Sequence, residues 1–219
     1  MAREYDKAIE AWSKAVSVYE NLSENNGYTR ALPLVNIGTA HWLLGDLKQA
    51  SLVLGQGLEE REAMSGPNDK ESFGTVRFLH ALGNVRASLG LPDDSEKLHK
   101  RALGQYQSTI GSEHHRAADV CHRVAQHCMH RGHFKDALTL VDQALRVWNA
   151  DRDVYLPGIG RTSLLKAKIL FRMDENRTTT PLIFRQAASG WKPITGSKEV
   201  EDENLSEEHF DELVTFWSK

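Results

Sequence analysis

The sequence predicts an all-α fold, a stack of antiparallel helix pairs in which each pair packs on the next. Three observations carry this expectation. First, a short motif recurs: Gly45-Asp46-Leu47-Lys48-Gln49-Ala50 returns as Gly90-Leu91-Pro92-Asp93-Asp94-Ser95 and as Gly132-His133-Phe134-Lys135-Asp136-Ala137. A copy without the glycine, Arg3-Glu4-Tyr5-Asp6-Lys7-Ala8, opens the chain, and the offsets between copies are 42, 45 and 42 residues. Second, each motif is followed seven residues on by a small residue and an aliphatic one, at Ala15-Val16, Gly57-Leu58, Ala102-Leu103 and Ala144-Leu145. Third, Ile37-Gly38, Leu82-Gly83 and Val124-Ala125 stand at the equivalent place upstream of the turns. A period of this size marks an array whose units bury their apolar faces only against one another.

The elements follow in order. Residues 4 to 20 are expected to form the second helix of a pair whose first helix is missing, with Ile9, Trp12, Val16 and Tyr19 on its apolar face. Covering that face calls for more chain before Met1 or for another surface, a second copy of the chain among the candidates. In the three pairs that follow, a small residue in the first helix lets the second approach. A glycine then ends the first helix in a conformation other residues disfavour. Small residues of the second helix lie where the next pair docks, and apolar residues at helical spacing fill the rest, as at Leu138, Val141, Ala144, Leu145 and Trp148. Residues 161 to 173 read as the first helix of a fifth pair, whose degenerate partner starts near Thr180-Pro181. Residues 1–190 are thus expected to be helical repeats and residues 191–204 a polar linker. Residues 205–219 are expected to be a capping helix, with Phe210, Leu213, Val214 and Trp217 on one stripe.

Bulk properties narrow the partners. With 40% hydrophobic residues, 26% charged residues and a net charge of −3, the chain lacks the basic excess that favours nucleic acid. No apolar run approaches the roughly 18 residues a membrane span needs. The opening Met1-Ala2-Arg3-Glu4-Tyr5 lacks the apolar core of a signal peptide. Cys121 and Cys128 on one helix would stand about 10 Å apart, too far for a disulfide, and are expected as buried thiols of a cytoplasmic protein.

Over roughly residues 3 to 188 the chain resembles the tetratricopeptide-repeat (TPR) superfamily. The 42-residue spacing and the linkers Gly66-Pro67-Asn68-Asp69 and Gly111-Ser112-Glu113-His114-His115 are similar to the kinesin-light-chain kind of repeat. The combination also resembles a group of fungal TPR proteins. The resemblance implies a right-handed α-solenoid whose first helices line a concave groove, and an interaction or ligand-binding module. In that frame the inner positions are Asn36, Thr39, Trp42 and Leu43; Arg77, His80, Ala81 and Asn84; Asp119, His122, Arg123, Gln126 and His130; and Lys166, with Thr162 and Ile169 nearby. Arg77, Arg123 and Lys166 against Asp119 alone favour an anionic group, from a peptide, a protein tail or a small molecule. Asn36 and Asn84 are similar in type to the asparagines of TPR carboxylate clamps, although the basic set of such clamps does not stand at its usual positions here.

A second function class is a small enzyme. His80 and His122, with Asp119 orienting an imidazole and Arg123 holding an anion, could perform acid–base chemistry without a cofactor. No phosphate loop, dinucleotide fingerprint or nucleophile elbow occurs, so no cofactor is expected. Six of the ten histidines lie between residues 114 and 133, and His115, Asp119 and His122 share one helical face. Without an HExxH or a paired CxxC, these are expected to be structural or exposed, with no metal site.

Overall fold

The computed structural model describes residues 2–22, 26–69, 74–173 and 214. Among them are eight α-helices and no strand: α1 (Ala2–Leu22), α2 (Asn26–Leu43), α3 (Leu47–Ser65), α4 (Gly74–Ser88), α5 (Pro92–Thr109), α6 (His115–His130), α7 (Phe134–Asn149) and α8 (Arg152–Met173). The degenerate partner of the fifth pair, the linker 191–204 and the capping helix 205–219 fall outside the described residues, apart from Val214, which is buried. The chain divides into two compact units, residues 1–111 and 112–219.

Within each unit the helices pack as the repeat demands. In the first, α2 packs on α1, α3 and α4, while α4 also packs on α3 and α5; in the second, α7 packs on α6 and α8. The contacts α2·α4 and α6·α8 set first helices of successive pairs side by side within a unit. The turn inside each pair is built the same way three times. Gly45, Gly90 and Gly132 have φ of 82°, 73° and 78°, the left-handed region that glycine enters at little cost. Each glycine amide returns to the preceding helix, and the next amide reaches five residues back, as Asp46 N–H to the His41 carbonyl (2.9 Å) and His133 N–H to the Cys128 carbonyl (2.8 Å). These bonds satisfy carbonyls that a helix end would otherwise leave open. Asp46 then caps α3 by accepting from the Gln49 amide at 3.1 Å, and Pro92 opens α5 at a position where its missing N–H costs nothing.

The small residues do what their spacing predicts. A Cβ on Gly83 of α4 would stand 2.4 Å from His99 Nε2 of α5, and one on Gly57 of α3 would stand 2.3 Å from the Phe78 ring of α4. Ala102 and Ala144 have no exposed surface. By contrast, every residue of α1 whose side chain is described is exposed or half-buried.

One element differs from expectation. The fifth pair's first helix begins at Arg152, nine residues before the expected start at residue 161. It is broken at Tyr155 (φ −105°, ψ 18°), two residues before Pro157, so the proline falls in the first turn of the segment that follows. Arg161 is therefore well inside the helix rather than at its fraying end.

Candidate ligand-binding face

In the first unit, α2 and α4 supply the expected inner positions. Asn36, Trp42, Leu43 and Arg77 are half-buried, whereas Thr39, His80, Ala81 and Asn84 are buried. Thr39 donates to the Val35 carbonyl one turn back at 2.7 Å, so its hydroxyl serves the helix itself. Trp42 reaches across from α2, its indole N–H donating to Ser88 Oγ at the end of α4 (2.8 Å). His80 packs edge-on against His99, with ring centroids 5.6 Å apart, and its carbonyl lies 3.3 Å from His99 Nε2.

In the second unit, α6 and α8 bring together Asp119, His122, Arg161 and Thr162, all essentially without exposed surface. Arg161 Nη2 lies 3.6 Å from Asp119 Oδ1, and Thr162 Oγ1 lies 3.2 Å from His122 Nδ1. Burial, and then the positive charges of Arg161, Arg123 and Lys168, hold the His122 pKa well below its ordinary value. The ring is therefore neutral at physiological pH, with Nε2 buried and without a hydrogen-bond partner among the described residues. Around this core the cations are more accessible. Arg123 is half-buried and donates to Gln126 Oε1 at 3.1 Å. Lys166 is half-buried and pairs with Asp142 at 2.6 Å, and His130 is exposed.

This geometry refines the expected groove. Asp119 does not stand alone before three cations, because its near cation is Arg161, which the sequence placed at a helix start. Lys166 has its own carboxylate, Asp142. Thr39, His80, Asn84, Asp119 and His122 lie beneath the surface, so the accessible inner positions are Asn36, Trp42, Leu43 and Arg77 in the first unit and Arg123, Gln126, His130 and Lys166 in the second. His80 and His122 belong to different units.

Two histidines at the start of α6 also find structural places. His114 caps α6, its Nδ1 accepting from the Arg116 amide at 3.1 Å. It stacks on His115 (4.2 Å), which stacks on Tyr155 (5.7 Å), itself against Trp148 (5.0 Å). Burial, with the positive charges of His114 and Arg116, pulls the His115 pKa down to about 4. Cys121 and Cys128 are free, buried thiols, and burial together with Glu113 pushes Cys121 up to about 12. Among the described residues no group of three or more His, Cys, Asp or Glu is placed to hold a metal ion. No helix among them is long and apolar enough to cross a membrane.

Residues 75–150 match the tetratricopeptide repeat model. No curated protein sequence matches the chain. Among solved structures, BtubC (BKLC) from P. vanneervenii is similar at a TM-score of 0.73 and 14% identity, covering 93% of this chain and 79% of that one. A Podosopora anserina kinesin-light-chain-like protein of nearly identical TPR-like repeats is similar at 0.63 and 15% identity, covering 90% and 94%. Bacillus thuringiensis PlcR, solved with the peptide PapR7 and DNA, is similar at 0.67 and 12% identity, covering 88% of this chain and 65% of that one. At these identities the likeness is one of fold.

Proposed function

From the match of residues 75–150 to the tetratricopeptide repeat model, we propose that the chain is a protein-interaction module whose first helices bind a peptide or anionic ligand. The observation that carries this is the composition of the accessible inner positions. Arg77 stands with Asn36 in the first unit, and Arg123 and Lys166 stand with Gln126 in the second, donors that suit carboxylates and peptide carbonyls. The buried residues of the same faces, Asp119 with Arg161 and His122 with Thr162, tie first helix to first helix and so hold the accessible ones in place. PlcR, which is similar in fold, was solved in complex with the peptide PapR7.

A selection from a random dodecapeptide library, followed by fluorescence polarisation, tests the proposal. Selected peptides should carry acidic residues, and Arg77→Glu or Arg123→Glu should weaken them at least tenfold. Binding indifferent to both charge reversals would sink it. The acid–base alternative draws no support from the site, since His122 has no exposed surface with which to meet a substrate.

A further inference from the structure

The linkers that lead from one helix pair to the next are held on a second helix, and the two units can be compared position by position. In the second unit, Gln143 of α7 donates to the Ser112 carbonyl (3.4 Å). One turn on, Arg146 forks onto Glu113, with Nε–Oε2 3.3 Å and Nη2–Oε1 2.8 Å. In the first unit, Arg101 stands 42 residues before Gln143 and donates to the Pro67 carbonyl at 3.0 Å, the equivalent contact. The residue 42 before Arg146 is Gly104, and the residue 45 before Glu113 is Asn68. The second contact therefore has no guanidinium to make it. In its place is a cleft of about 540 Å³. Pro67 and Asn68 form the linker wall, and Lys100, Arg101, Gly104 and Ser108 form the α5 wall. Gln105 pins the linker from below, donating to the Asp69 carbonyl at 2.9 Å.

Packing does not demand the glycine. A Cβ on Gly104 would meet no atom within 4 Å, and glycine inside a helix weakens it. What its absent side chain does is leave the cleft open. Among the described residues, the lining includes two cations and no carboxylate. Lys100 is more than half exposed and holds Glu96 at 2.7 Å, a contact that uses one of its three ammonium donors. Arg101 holds Glu62 and the Pro67 carbonyl, which leaves donors of its five uncommitted to those two partners.

We propose that this cleft is a docking site for an acidic, extended segment of a partner protein. A glutamate or aspartate side chain of that segment enters between linker and α5, meets Lys100 and Arg101, and accepts from the Asn68 amide group. The site is built from a second helix and a linker, so it is independent of the first-helix face.

The test is an amide NMR titration of the full chain with a Glu-Ser-Glu-Ser-Glu-Ser peptide, beside its Gln-for-Glu analogue, sodium acetate and inorganic phosphate. The glutamate peptide should shift the amides of Asn68, Lys100, Gly104 and Ser108 saturably, with the glutamine analogue at least tenfold weaker. The double variant Gly104→Arg with Asn68→Glu rebuilds the second unit's ion pair and fills the cleft. It should keep the helical circular dichroism and lose binding at least tenfold. Lys100→Gln, at an exposed site, should weaken binding read at the Asn68, Gly104 and Ser108 amides about threefold or more. The proposal is overturned if the peptide produces no local shifts, or if the glutamine analogue binds equally. It is also overturned if acetate or phosphate binds as tightly as the peptide, or if either cleft variant binds as the wild type does.

Discussion

Gly83 is a place where one hydrogen atom decides a helix crossing. His99 of α5 fills the space that any Cβ there would occupy, so Gly83→Ala must push the imidazole off its contact with the His80 carbonyl. A destabilisation of about 1–3 kcal/mol in urea unfolding is expected, with part of it recovered in Gly83→Ala/His99→Ala. An unchanged midpoint for the single variant would refute the close approach. Two histidines of the second unit, one buried and one half-buried, set a pH dependence. His115 is pulled down to about 4, and His122 lies well below its ordinary value of 6.5, so both rings stay neutral in the folded chain as the pH falls. The unfolded chain protonates the same rings near their ordinary value. Unfolding therefore takes up protons, and stability falls as the pH drops from about 7 toward 4 and is flat above. The urea midpoint should be lower at pH 5 than at pH 7.5, by less in His122→Gln. Equal pH dependence in variant and wild type would count against the assignment.

At the scale of elements, polar pairs join first helices that apolar packing alone would leave free to slide. Trp42–Ser88 joins α2 to α4, and Asp119–Arg161 with His122–Thr162 joins α6 to α8. A buried ion pair adds little net stability but is expensive to halve. Arg161→Met should therefore cost about 3–5 kcal/mol, and Arg161→Met/Asp119→Leu should recover much of it. Similar stabilities for the single and double variants would show that the two charges are not coupled. The helix pairs themselves were legible because their signals are local: a turn glycine, a capping aspartate, a small residue one helix away. The true start of α8 was not, because the apolar run from residue 164 dominates the pattern. Pro157 was the available cue, a residue suited to a first helical turn.

Over the whole molecule, stability in a repeat array is shared between neighbours, so damage stays near its source. The Gly83→Ala change should accordingly speed hydrogen exchange in α4 and α5 more than in α7 and α8. The proposed binding surfaces divide in the same local way: a polar face on the first helices, and a cleft where one second helix lacks the arginine that its equivalent carries.

By itself the sequence determined that the chain forms helix pairs, where the turns fall and which residues face a neighbour, because helical spacing and turn chemistry act over a few residues. Tertiary structure decided how deep those facing residues lie. Spacing puts Asp119, His122, His80 and Asn84 on the inner side of a helix, but only the helices packed beside them make that side an interior. It likewise decided that Arg161 is Asp119's cation. And it alone revealed the cleft at Gly104, since an absent side chain becomes a space only when a linker 36 residues away in sequence, at Asn68, packs alongside.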